Sequence, residues 1–155
     1  MFDATQTDAE AEVAMQPLQV DIYAFRVGDD VLFTHAWKKQ GDPKSKQGKI
    51  EVPRGEPKVP IHFQLHDLTE PKVNLCFYDD ACDSIWVDTA DCPTEAGTGG
   101  QIEYGPSGGN SLKVTDLNTV KCTLHYALRF KGATTESGPP YEYDPEIRNG
   151  GGGNI

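Results

Sequence analysis

The sequence predicts an all-β fold, an immunoglobulin-like antiparallel sandwich of seven to nine strands, with a jelly roll as the alternative. Three observations predict it. Glycine (16) and proline (11) are plentiful in the 155 residues and punctuate the chain at short intervals. Apolar residues alternate with polar ones along several short runs, the period of a strand with one buried face. No helical periodicity appears in the middle of the chain, which argues against βαβ units.

Residues 1–16, "MFDATQTDAEAEVAMQ", read as a disordered or weakly helical lead-in; a helix over "DAEAEVAM" would be marginal at that length. A single sandwich domain is expected over 17–149. "LQVDIYAFRV" is apolar on both parities, as for a strand covered on both sides, and "GDD" turns it into "VLFTHAW", with Val31, Phe33, His35 and Trp37 on one face. Residues 38–58 form a long basic excursion, with "KIEV" as a short strand inside it. "VPIHFQLHDL" sets Val59, Ile61, Phe63 and Leu65 against His62, Gln64 and His66. Short strands follow in "EPKVNLCFYDD", "SIWVD", "GQIEYG" and "SLKVTDLN", the last with Leu112 and Val114 inward. The clearest element is "TVKCTLHYALRF", which places Val120, Cys122, Leu124, Tyr126, Leu128 and Phe130 on one parity. The end, "PPYEYDPEIRNGG", reads as a last extended segment docked by its tyrosines, with Pro145 confining it to an edge. Asn149-Gly150 reads as a turn pair, and 150–155 as a Gly-rich tail.

Charge restricts function. The formal net charge is −10, which opposes general binding to nucleic acid. Residues 38–58 hold seven basic and three acidic residues, net +4, so the rest of the chain carries −14. No apolar run approaches the roughly 18 residues of a membrane span. The acidic start lacks the features of a secretory leader, so the expected location is the cytoplasm, where Cys76, Cys82, Cys92 and Cys122 would be reduced. Their spacing lacks the paired ligands of a zinc site. Core packing suits Cys76 and Cys122, and Cys82–Cys92 is the best candidate for a bridge.

The candidate site residues are modest in specificity. His62 and His66 are four apart, but on a strand that separates them by about 13 Å, too far for one metal. His125 lies on the wetter face of its strand, where it could neighbour either of them. Asp79, Asp80 and Asp83 crowd a loop and form the speculative metal set, with calcium as the one cofactor considered; no EF-hand spacing is present, and turn initiation explains the same residues. No nucleophile elbow, phosphate loop or dinucleotide fingerprint occurs. Asp144, Glu146 and Arg148 form a polar rim beside Tyr141 and Tyr143, amphipathic anchors suited to binding.

"HYALRF", a linker and "YDPEIRN" resemble the C-terminal half of small bacterial β-sandwich proteins grouped as the DP-EP family, over about residues 59–149. The resemblance implies a sandwich and brings no activity with it.

Three functions follow as expectations. The first is a non-enzymatic module that binds a protein partner or itself through an edge strand or the aromatic, His-bearing face. Its basic 38–58 arm would dock on acidic surface of a neighbouring copy, giving association that weakens with salt. The second is a metal or carbohydrate site in the loops, with catalysis as an extension of it, built on Asp79, Asp80, Asp83 and His125. The third is contact with an anionic ligand through Lys38, Lys39, Lys44, Lys46 and Lys49.

Overall fold

A computed structural model describes residues 17–132 and 140–151. The expected lead-in over 1–16 and the end of the tail, 152–155, lie outside the described residues. Two mixed sheets pack face to face as an all-β sandwich. The first sheet has the order β2-β1-β4-β8-β7, comprising β1 (Leu18–Val27), β2 (Asp30–Lys39), β4 (Val59–Asp67), β7 (Ile102–Gly108) and β8 (Ser111–Asp116). The second is organised around β9 (Lys121–Gly132). β10 (Tyr141–Tyr143) and β11 (Glu146–Gly150) run along one side of β9, and β5 (Leu75–Phe77) and β6 (Ile85–Asp88) along the other. β3 (Ile50–Val52) lies outside β11.

The period-2 pattern explains the core. Val20, Ile22 and Ala24 of β1, Ile61, Phe63 and Leu65 of β4, and Leu112 and Val114 of β8 are buried from one side. Leu124, Tyr126, Leu128 and Phe130 of β9 meet them from the other, with Phe63 against Tyr126 at a ring separation of 5.7 Å, and Phe77 of β5 packs beside Phe130 in the same sheet at 4.7 Å. The expected inward row on β9 is shortened at its start. Val120 precedes the strand and is exposed, and Cys122 is half-buried.

Four further expectations are corrected. The sheets are not purely antiparallel: β1 runs parallel to β4, and β3 parallel to β11. The strands number eleven among the described residues, because short pieces complete each side of β9. One helical turn, α1 (Ala81–Ser84), interrupts the expected all-strand middle. Asn149-Gly150 is strand rather than turn, and Gly151 is buried, so no tail begins at residue 150. Pro145 sits between β10 and β11; β10 is an edge, whereas β11 is paired on both sides.

All four cysteines are free thiols, so no bridge joins Cys82 to Cys92. No helix of the described residues is long and apolar enough to cross a membrane.

Candidate functional site

The edge β2 of the first sheet and the β10–β11 elbow of the second meet around a cleft of about 310 Å³ lined by His35, Gly48, Lys49, Tyr143, Asp144, Pro145 and Glu146. β2 supplies Phe33 and His35 from its inward row. Phe33 stacks on Phe130 at 5.1 Å and on Tyr143 at 5.8 Å, anchoring the elbow by aromatic contact. His35 Nε2 lies 2.6 Å from the Gly48 carbonyl oxygen and must donate to it. Nδ1 lies 2.5 Å from the Tyr143 hydroxyl and shares a hydrogen bond with it. Both ring nitrogens are therefore occupied by structural partners, and His35 acts as a clasp between the two sheets.

Glu146 is held by Lys49 at 2.8 Å and by His125 at 3.4 Å. The Lys49 hydrogen bond and charge, with His125 and Arg148 beyond, keep its carboxyl below the usual range, against a smaller upward push from burial. Asp144 has its carboxyl raised by burial and by Glu142, and burial raises the Tyr143 phenol. Of the residues expected to form a binding rim, the fold thus gathers Tyr143, Asp144 and Glu146, with His125 reaching them through Glu146. Tyr141 packs against the core instead, paired with Phe130 in register. Arg148 lies further along β11, opposite Thr123 on β9 and Glu51 on β3.

His62 and His66 belong elsewhere, on the outer face of the first sheet. His66 Nε2 donates to Asp21 at 2.9 Å and its ring stacks on Tyr23 at 4.9 Å. His62 stands across from Lys113, and burial, then that lysine, lowers its pKa. His125 is on the second sheet, flanked by Glu146 and Asp88, so the expected proximity of His125 to His62 or His66 is corrected: sheet packing separates them.

Asp79, Asp80 and Asp83 surround α1. Asp80 occupies the N-cap position, its carbonyl accepts from the Asp83 amide at 3.1 Å, and the Asp83 carbonyl accepts from Arg129 at 3.2 Å. Among the described residues, no group of three or more His, Cys, Asp or Glu is arranged to hold a metal ion.

The basic excursion is folded down. Lys46 exchanges backbone hydrogen bonds with Trp37 and sets its ammonium 5.0 Å from that ring; Lys39 pairs with Glu56 at 3.1 Å and Lys49 with Glu146. Of the five lysines expected to share an anion, Lys39, Lys46 and Lys49 are thus turned to separate partners.

One group went unrecognised in the sequence. Asp116, Asn118 and Asn149 are all buried, joined by Asn118 N–H and Asn149 Nδ2 donating to Asp116 Oδ1 at 3.0 and 2.9 Å. Its signal was a polar residue on a buried parity: Asp116 continues Leu112 and Val114, and Asn149 continues Ile147.

Comparison with family models and with curated protein sequences finds no match for the chain.

Proposed function

We propose that the protein is a non-enzymatic β-sandwich that assembles with a second copy of itself along β2. The observation that carries this reading is the free side of that strand. β2 is the last strand of its sheet, and from Asp30 to Ala36 its outer backbone has no partner among the described residues. Such an edge is a template for another strand.

Two features favour a copy of the same chain. Leu32 and Val27 are large apolar side chains left exposed at the β1–β2 end of the sheet, and Leu68, whose amide donates to the Ala24 carbonyl, is exposed beside them. Leu32 also pairs in register with half-buried Phe25, so one corner is apolar. β2 is moreover charged oppositely at its ends, with Asp29 and Asp30 at one and Lys38 at the other. A two-fold antiparallel pairing brings the acidic end of each copy toward the basic end of the other.

The likeness of "HYALRF" and "YDPEIRN" to the DP-EP family stands as the family reading that accompanies this function; a solved member in which those segments pair as β9 and β11 do would support it.

Sedimentation equilibrium tests the assembly. The chain is expected to dimerise reversibly, more weakly as salt rises. Leu32→Asp and Lys38→Asp should each weaken the dimer several-fold, and the exchange Asp30→Lys with Lys38→Asp should recover much of the loss of the single charge change. A chain that is monomeric at all accessible concentrations would overturn the reading.

A further inference from the structure

A second feature lies on the outer face of the second sheet, away from β2. Three overlapping depressions of about 510, 450 and 350 Å³ meet at the end of β3, β11 and β9, and Lys121 lines all of them. Arg54 lines the first, and Arg148 the other two.

Two glycines bring these cations together. A Cβ on Gly150 would fall 2.2 Å from the Arg54 amide nitrogen, and one on Gly151 would fall 2.3 Å from that of Lys121. No side chain fits at either position, so the backbones that carry Arg54 and Lys121 close directly on the end of β11. The floor is pinned: the Gly151 amide donates to Asn118 Oδ1 at 2.8 Å, and its carbonyl accepts from the Gly55 amide at 3.1 Å. Asn118 is in turn held by the Pro53 and Glu56 carbonyls at 2.9 and 2.8 Å. The backbone that carries the three cations is therefore fixed in place.

The cations are available. Arg54 and Lys121 make no ion pair among the described residues, and Arg148, which stands opposite Glu51 in register, adds its charge to that of Lys49 in holding Glu146 ionised. Glu51 is the one acid lining the depressions, against three cations. Asp116 lies beneath, on the core side of the sheet, fully buried. A local excess of positive charge on a chain of net charge −10 focuses small anions rather than a polyanion, which the rest of the surface repels. Two guanidinium forks and an ammonium match the spread oxygens of a phosphoryl group better than a single carboxylate.

We infer that Arg54, Lys121 and Arg148 form a binding site for a phosphate-type oxyanion, either free phosphate or the phosphoryl group of a small organic molecule.

Calorimetric titration of the full chain with inorganic phosphate and with phenyl phosphate tests this. Both are expected to saturate one site. Lys121→Gln and Arg148→Gln, changes at the strand surface, should each weaken binding about tenfold, whereas Lys44→Gln, outside the depressions, should leave it unchanged. Tighter binding of phenyl phosphate assigns the site to an organic phosphate, and equal affinity assigns it to free phosphate. Absence of saturable binding, or equal losses in Lys44→Gln, would overturn the inference.

Discussion

Asn149 Nδ2 donates to Asp116 Oδ1 at 2.9 Å, and this bond ties the end of β11 in one sheet to the end of β8 in the other. Both residues are buried, and Asp116 Oδ2 has no hydrogen-bond partner among the described residues. Burial pushes the Asp116 carboxyl up from an ordinary 3.8 to about 6, against the opposing pull of Asn149 and the Asn118 amide. Between those values the folded chain keeps a proton that the unfolded chain releases. The stabilising share of this group is therefore full below 3.8 and is lost as pH rises through about 6.

Asp116→Asn removes that titration while an oxygen can still accept from Asn149. Relative to the native chain, the variant should gain roughly 2 kcal/mol of unfolding free energy between pH 4 and pH 7. Urea unfolding at the two pH values measures the difference, in which other titrations such as that of His62 cancel. An unchanged difference would contradict the assignment.

Gly151→Ala should be among the most damaging single substitutions. The residue has φ +80° and its new Cβ would meet the Lys121 amide. A loss of roughly 3 kcal/mol or more is expected, as a backbone clash combined with left-handed strain. Chemical denaturation reads it, and a midpoint near that of the native chain would show the close approach to be absent.

Tyr126→Phe should have the opposite character. The Tyr126 ring is fully buried, its hydroxyl has no hydrogen-bond partner among the described residues, and burial raises the phenol well above its usual value. Deleting an oxygen that is desolvated without compensation should leave stability unchanged or raise it by about 1 kcal/mol. A fall of that size would mean that the hydroxyl has a partner.

The sandwich was legible because the inward rows of β4, β8 and β9 are interrupted by few exceptions, and a period-2 row on a half-buried strand determines its own face. The hairpin of β1 and β2 was legible from Gly28 and Asp29. The parallel pairs were not, since β3 and β11 are joined by no local turn and nothing in either short run records its partner. Asn149-Gly150 favours a turn in isolation, whereas pairing with β9 and β3 and the bond to Asp116 hold it extended. At the candidate site, Tyr143, Asp144 and Glu146 lie close in sequence and stay close in space. His35 and Lys49 reach them only through the meeting of two sheet edges, and Arg54 and Lys121 converge only through the glycines between them.

The account rests most on the open side of β2. Amide hydrogen exchange, compared between dilute and concentrated protein, tests it directly. Slower exchange in the concentrated sample, centred on residues 30–36 of β2, is the predicted result. Exchange that is independent of concentration there, or slowed only on the outer face of the second sheet, would contradict it.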